Sequence, residues 1–312
     1  MTKILLATEK PFAAIAVDGI KKIFTEAGFE TILLEKYTDP NDLIKAVSGV
    51  DGLIIRSDKA TRQVIEAGKN LKIIVRAGAG YDNIDLAAAT EKGIVAMNTP
   101  GQNSNAVAEL TFGMLVFMIR ANFKGGSGTE LKGKKLGIHA YGQVGRNVAR
   151  IAKGFGMEVS VFDPFVTKEI VEKDGLKFVA SETELYSSNQ YISLNIPATE
   201  KTKKSINFDL LSKMPKGATV VNTARKEVID EEGLKKTFAA RPDFMYVTDI
   251  MPDNHADLLQ FENRYYATPK KQGAETSEAN INAGLAAANQ IVKFIKTGDA
   301  TFQVNKVIAT KA

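Results

Sequence analysis

The stretch that decides the fold is KLGIHAYGQVGRNVA, Lys135 to Ala149. An apolar strand pattern leads into a glycine turn, and the turn opens a helical pattern. Such a turn lets backbone amides approach a pyrophosphate, to which the helix N-terminus presents its partial positive charge. Ala140 fills the first of the three customary glycine positions, but the other two are glycines. The stretch predicts a dinucleotide-binding turn formed by Tyr141, Gly142, Gln143, Val144 and Gly145.

A carboxylate follows the next predicted strand, Glu158–Phe162, at Asp163. A carboxylate there accepts hydrogen bonds from ribose hydroxyls and repels a 2′-phosphate, which favours NAD over NADP. Asp163 also precedes Pro164, so a helix N-cap is an alternative role that is compatible with the first.

Short apolar runs alternate with helical patterns on both sides of this turn, which predicts an α/β protein with two doubly wound parallel sheets. Helices are predicted at Ile15–Ala27, Pro40–Val47, Thr61–Ala67, Ser104–Arg120 and from Ser277 to Gly298. The predicted strands are Lys3–Ala7, Glu30–Glu35, Gly52–Arg56, Leu71–Arg76, Ile94–Asn98, Lys135–Ala140, Glu158–Phe162, Leu176–Phe178, Tyr191–Asn195, Ala218–Asn222, Phe244–Asp249, Tyr265–Ala267 and Phe302–Val307.

The composition of the 312 residues excludes several classes of protein. Hydrophobic residues make up 44% and charged residues 25%, as in globular proteins. No cysteine is present, which excludes disulfides, thiolate metal sites and a cysteine nucleophile. The charge of +5 comes from dispersed lysines, which indicates a solvated basic surface and no nucleic-acid partner. No apolar run reaches the ~20 residues of a membrane span or forms a signal peptide, so we expect a cytoplasmic protein without a membrane partner.

A set of motifs in fixed order resembles the D-isomer-specific 2-hydroxyacid dehydrogenase family. The motifs are Arg76-Ala77-Gly78-Ala79-Gly80-Tyr81-Asp82-Asn83-Ile84-Asp85, Asn98-Thr99-Pro100, Asn103-Ser104, Val107–Leu110, the glycine turn, Val221-Asn222-Thr223-Ala224-Arg225, Asp249 and Thr268-Pro269. The resemblance implies a Rossmann coenzyme domain (98–282) inserted into a flavodoxin-like substrate domain (1–97 and 283–312). It also implies NAD as cofactor, no metal, and a homodimer for which the apolar helix Val107–Ile119 is suited. The sequence ends at Ala312, so we expect no regulatory domain beyond it.

The resemblance assigns roles residue by residue. Arg225 matches the arginine that binds the substrate carboxylate and polarises the reacting carbonyl, and Asp249 matches the aspartate that binds the nicotinamide amide. The backbone amides of Ala77, Gly78 and Ala79 match the carboxylate-binding loop. Other implied cofactor contacts are Asn195, Pro197, Thr202, Thr223 and Ala224, and the implied phosphate-facing residues are Arg56, Ser57, Lys59 and Arg76.

Two positions depart from the family pattern. The histidine expected after Thr-Pro is Lys270, and the glutamate that orients it falls on Asn254, with Asp253 beside it. Neither His139 nor His255 obviously replaces the missing histidine. Either Lys270 serves as the acid and base, with its pKa lowered by burial and neighbouring cations, or the chain binds NAD(H) without turnover. The resemblance to members with lysine here favours the active alternative.

The implied substrate is a small anionic 2-hydroxy acid. Arg56 and Arg76 each follow a predicted strand, where α/β sites form, and paired guanidinium groups suit phosphate. The motifs therefore favour oxidation of 3-phosphoglycerate, and D-glycerate and D-lactate are alternatives within the same fold.

Overall fold

The computed structural model describes residues 1–305, which divide into two compact units. One unit comprises Met1–Asn103 and the chain from Glu275 onward, and the other is Ser104–Ala274. These divisions differ from those expected at 97/98 and 282/283. The reason at the second crossing is that one continuous helix, Ser277–Thr297, packs as a single element, so a division at 282 would cut through it.

The first unit is built on a five-stranded sheet in which every pairing is parallel. Its order, β2-β1-β3-β4-β5, is the flavodoxin-like order. The strands are β1 (Lys3–Thr8), β2 (Glu30–Glu35), β3 (Gly52–Ile55), β4 (Ile73–Arg76) and β5 (Val95–Asn98). The helices are α1 (Ala14–Ala27), α2 (Pro40–Val47), α3 (Arg62–Ala67), α4 (Leu86–Glu91) and, from the end of the chain, α12 (Ser277–Thr297).

The second unit holds a seven-stranded parallel sheet of order β12-β11-β10-β9-β6-β7-β8, the Rossmann order. Its strands are β6 (Lys135–His139), β7 (Glu158–Phe162), β8 (Lys177–Phe178), β9 (Tyr191–Leu194), β10 (Thr219–Asn222), β11 (Met245–Thr248) and β12 (Tyr265–Ala267). Its helices are α5 (Ser104–Ile119), α6 (Gln143–Gly154), α7 (Lys168–Lys173), α8 (Glu182–Ser188), α9 (Phe208–Leu211), α10 (Glu231–Ala240) and α11 (His255–Leu258).

Burial explains why these segments form parallel sheets. The central strands β3, β9 and β10 are buried along their whole length, as expected of strands covered on both faces by helices. Each sheet separates two apolar clusters, one on each face. The polar residues of each unit are thereby left at the strand ends, where parallel strands present their carboxyl termini together.

The α/β class and the two parallel sheets are confirmed, and the predicted strands end within a few residues of the observed ones. One predicted strand, Phe302–Val307, is wrong over its described part. Gln303 makes only an isolated antiparallel bridge to Met97, since a bend follows at once. The rest of that prediction, 306 and 307, lies outside the described residues. Within residues 1–305, no helix combines the length and apolar character needed to cross a membrane.

Candidate functional site

The glycine turn lies between β6 and α6, where the strand order of the second sheet reverses. A Cβ on Gly145 would lie 2.3 Å from the carbonyl oxygen of Ala140, so glycine is required for the helix to pack this closely on the strand. Gly142, in contrast, faces open space, and no side chain caps the N-terminus of α6. An uncapped helix N-terminus beside a glycine with open space fits a pyrophosphate.

Asp163 follows β7, and its carboxylate accepts hydrogen bonds from two backbone N–H groups. Its Oδ2 accepts a hydrogen bond from Tyr141 N at 2.7 Å, and its Oδ1 accepts one from Phe165 N at 2.8 Å. Thr167 occupies the N-cap position of the next helix, α7, without a side-chain hydrogen bond, so Asp163 is not its N-cap. Each carboxylate oxygen has a second lone pair, so Asp163 can still accept from a pair of ribose hydroxyls.

The loop after β9 holds three further predicted cofactor contacts. Asn195 Nδ2 donates to the backbone oxygen of Ser193, but its Oδ1 is buried without a partner among the described residues. Thr202 Oγ1 donates to the carbonyl oxygen of Pro197 at 2.5 Å and so fixes the loop. The unpartnered amide oxygen is suited to a donor from a bound molecule.

Asp249 follows β11 and is fully buried. Its Oδ2 accepts hydrogen bonds from Gly273 N at 2.7 Å and Gln272 N at 3.3 Å, whereas Oδ1 has no partner in the described part of the chain. Burial raises the pKa of this carboxyl group, against the opposing effects of Lys271, the two backbone N–H groups and Arg225. The free oxygen fits a carboxamide donor such as that of a nicotinamide.

Two cations meet at the end of β10. Arg225 Nη1 and Lys271 Nζ donate to one carbonyl oxygen, that of Ala224, at 2.8 and 2.9 Å. Lys271 is an exposed residue, but its ammonium group is held against the protein by this hydrogen bond. Burial, and then the Arg225 charge, lower the pKa of this lysine. A lysine with lowered pKa beside an arginine can exchange a proton near an anion that the arginine holds.

Asn222, which is fully buried, holds the loop that bears Arg225. Its Oδ1 accepts from Ala224 N at 3.0 Å, and its Nδ2 donates to the Arg225 carbonyl at 3.0 Å and to Tyr246 Oη at 3.1 Å. Asn222 thus fixes the carbonyl on which both cations converge. In the sequence, Asn222 belongs to the motif Val221–Arg225, but the pattern alone does not indicate this role.

The structure brings Lys271, and not Lys270, to Arg225. Thr268 Oγ1 donates to the Lys270 carbonyl at 2.8 Å, and the Lys270 side chain is exposed. The backbone N–H groups of residues 272 and 273 donate to Asp249. These bonds place the preceding residue, Lys271, at the end of β10. The sequence pattern indicates Lys270, the first of the two adjacent lysines, because only tertiary contacts distinguish it from Lys271.

Asn254, at the family's glutamate position, and the neighbouring Asp253 are engaged elsewhere. The backbone N–H groups of Asp253 and Asn254 donate to the carboxylate of Glu231 at 2.8 and 2.9 Å, and Asp253 forms an ion pair with Lys226. Neither makes a described contact with Lys271. The lysine therefore has no dedicated carboxylate partner among the described residues, although Asp249 and Glu227 oppose the lowering of its pKa.

Both histidines also have other partners. His139 Nδ1 lies 3.2 Å from Tyr186 Oη, and His255 Nδ1 lies 2.7 Å from Tyr265 Oη. His139 is 2% exposed, within the sheet. Within the described residues, no group of three His, Asp or Glu side chains is placed to hold a metal ion.

The first unit holds the predicted anion-binding residues. Arg76 Nε donates to the Arg56 carbonyl at 3.0 Å, and a Cβ on Gly78 would lie 1.6 Å from Arg76 Nη1. Gly78, at a φ of 151°, therefore leaves room for the Arg76 guanidinium group. Ser57 and Lys59 are exposed residues of the loop that begins at Arg56.

The expected backbone site at residues 77–79 is only partly available. Ala77 N donates to Ile55 O at 2.8 Å because it continues the ladder between β3 and β4, and Gly78 N donates to Arg76 O at 2.9 Å. Of the three amides, only that of Ala79 has no acceptor among the described residues. The expectation that all three are available is corrected accordingly.

The comparisons with known proteins agree with this geometry. A family model described as D-isomer specific 2-hydroxyacid dehydrogenase, catalytic domain, matches residues 12–305. The chain is 37% identical over 284 residues to hydroxypyruvate reductase of Thermotoga maritima, covering 85% of this chain and 91% of that protein. It is 50% identical to NAD+-bound 3-phosphoglycerate dehydrogenase of Entamoeba histolytica, with a TM-score of 0.88, covering 98% of this chain and 99% of that one.

A third relative is longer. D-3-phosphoglycerate dehydrogenase of Methanocaldococcus jannaschii is 38% identical over 272 residues, covering 82% of this chain and 52% of that protein. The chain thus spans about half the length of this curated relative.

Proposed function

The chain belongs to the D-isomer specific 2-hydroxyacid dehydrogenase family, and we propose that it catalyses the NAD-dependent oxidation of 3-phosphoglycerate to 3-phosphohydroxypyruvate, the reaction that begins L-serine synthesis. The observation that carries this proposal is the convergence of Arg225 and Lys271 on the carbonyl of Ala224.

NAD is the cofactor that the second unit fits. The glycine turn and the N-terminus of α6 would hold its pyrophosphate, Asp163 its ribose hydroxyls, and Asp249 Oδ1 its carboxamide. The carboxylate of Asp163 disfavours a 2′-phosphate, so NADP is the poorer cofactor. When bound, NAD accepts the hydride that leaves C2 of the hydroxy acid.

Lys271 and Arg225 supply the rest of the chemistry. The substrate hydroxyl loses its proton to the neutral amine of Lys271, so the proton and the hydride together account for both hydrogens removed from the alcohol. The guanidinium group of Arg225 orients the carboxylate and stabilises charge on the reacting oxygen. In the reductive direction the ammonium of Lys271 returns the proton.

The phosphate is the part of the substrate that Arg56 and Arg76 would bind. Arg56 follows β3 and Arg76 is the last residue of β4, and Arg76 is ordered by its bond to the backbone of Arg56. Paired guanidinium groups form the strong, charge-assisted bonds that phosphate oxygens accept. The name of the Entamoeba histolytica relative agrees with this substrate.

A second candidate is the reduction of hydroxypyruvate. It is favoured by the Thermotoga maritima relative, which matches this chain over 91% of its own length. The same lysine and arginine would serve that reaction, without need of a phosphate-binding pair.

We also propose a homodimer formed through α5. Leu110, Gly113 and Phe117 lie at helical spacing and are not fully buried, in a helix whose residues from Phe112 to Ile119 are all apolar or glycine. Phe117 packs against the exposed Phe123 at 5.4 Å and Tyr266 at 4.9 Å between ring centroids. Phe117, Phe123 and Tyr266 thus form an aromatic stripe, which is typical of a protein interface.

The experiment is an assay of NADH formation with 3-phosphoglycerate, D-glycerate and D-lactate, with the keto product trapped, and of NADH consumption with hydroxypyruvate. We expect kcat/KM for 3-phosphoglycerate to exceed that for D-glycerate by about 10- to 100-fold, since hydrogen bonds to charged groups contribute about 1.5–3 kcal/mol. A preference for hydroxypyruvate would support the second candidate. Absence of turnover with every acid, with NAD binding retained, would overturn both and leave an NAD-binding module.

A further inference from the structure

The side chain of Arg56 already has an anionic partner. Its Nη2 lies 3.5 Å from Glu275 Oε2, and its guanidinium carbon lies 5.9 Å from the centre of the Phe12 ring. The Arg56 side chain is 15% exposed, whereas that of Glu275 is 56% exposed. An exposed carboxylate therefore lies beside a cation that is otherwise largely buried.

The backbone of Arg56 is held independently of this ion pair. Arg56 N donates to Asp58 Oδ2, and its carbonyl accepts from Arg76 Nε and Asn83 Nδ2. Asp58 is 3% exposed and also accepts from Tyr37 Oη and Glu9 N. Because these bonds fix the loop, Glu275 is not needed to hold Arg56 in place.

Glu275 lies in neither a helix nor a strand. It precedes Thr276, whose side chain caps α12, and its carboxylate makes no other hydrogen bond or ion pair with the described residues. Its one described interaction is with an arginine that the proposed function assigns to the substrate.

We propose that Glu275 is a specificity-determining residue that competes with the distal anionic group of the substrate for Arg56. The inference rests on the proposed function, because it takes Arg56 to bind that group. A phosphorylated acid must displace the Glu275 carboxylate, whereas an acid with an uncharged distal group leaves the pair intact. Glu275 thus lowers the affinity of the site for acids that carry a second anionic group.

Removal of the charge on Glu275 tests this directly. In Glu275→Gln we expect KM for 3-phosphoglycerate to fall about two- to fivefold, the range that partly exposed ion pairs provide. The values of kcat, and KM for D-glycerate, should stay unchanged. Glu278→Gln is the matched control, since Glu278 is an exposed glutamate three residues further on, with no described ion pair.

Inorganic phosphate gives a second readout that does not depend on which acid is oxidised. Its dissociation constant, measured by calorimetry on the NAD-loaded protein at low ionic strength, should fall by a similar factor in Glu275→Gln. Tighter phosphate binding without turnover of 3-phosphoglycerate would reject the proposed function but keep the competition at Arg56. Unchanged or weaker phosphate binding in Glu275→Gln would overturn the inference, even if 3-phosphoglycerate is the substrate.

Discussion

Lys271 and Arg225 donate to the same carbonyl oxygen, so the lysine ammonium lies beside a permanent positive charge. Two neighbouring cations repel each other, and the lysine relieves the repulsion by losing its proton. A carboxylate partner would have the reverse effect. A lysine without a dedicated carboxylate partner is therefore consistent with Asn254 at the position where the family pattern has a glutamate.

We expect Lys271→Met to lower kcat by about 100-fold or more, the usual contribution of a general acid or base. Affinity for NAD should change little, because the glycine turn and Asp163 are untouched. Lys270→Met is the matched control, since this lysine is exposed and follows the same strand. Turnover that depended on Lys270 and not on Lys271 would reject the assignment.

The pH profile should reflect the lowered pKa of Lys271. Oxidation needs the neutral amine, so kcat/KM rises with pH through a pKa below the ordinary lysine value, whereas reduction needs the ammonium and falls over the same range. Exposed Glu227 raises this pKa. Glu227→Gln should move both limbs to lower pH, and Glu232→Gln should not. A shift to higher pH in Glu227→Gln would contradict the assigned titration.

The sequence predicted the two sheets well because parallel strands covered on both faces are largely apolar runs, as in β3. The predicted strands also locate Asp163, which directly follows β7, and Arg225, which lies three residues after the end of β10. Contacts that join distant segments were not predictable. The choice between Lys270 and Lys271 depends on hydrogen bonds to Asp249, and the availability of the amides at 77–79 depends on strand pairing.

The proposed homodimer predicts a change of mass on substitution within the aromatic stripe. Phe117→Lys places a charge on a surface that two apolar faces would have to bury, so we expect the mass measured by sedimentation or light scattering to fall to that of one chain. Ile15→Lys is the control, at an exposed apolar residue of the first unit. A single-chain mass for the unsubstituted protein would contradict the proposal.

Ala140 provides a test of stability at the glycine turn. Its φ of 78° is a conformation that costs a residue with a Cβ about 1–2 kcal/mol. Glycine removes that cost but adds about 0.4–1 kcal/mol of unfolded-state entropy. We therefore expect Ala140→Gly to stabilise the protein by up to about 1.5 kcal/mol, the difference between these terms.

Thermal unfolding of Ala140→Gly should show a raised midpoint, with NAD affinity retained. Ala286→Gly is the matched control, because the same change inside α12 lacks the strain to relieve and should destabilise by about 1 kcal/mol. A lowered midpoint in Ala140→Gly would mean that contacts of the Ala140 methyl group contribute more than the backbone conformation costs. The two alanines thus separate the effect of backbone strain from the general effect of introducing glycine.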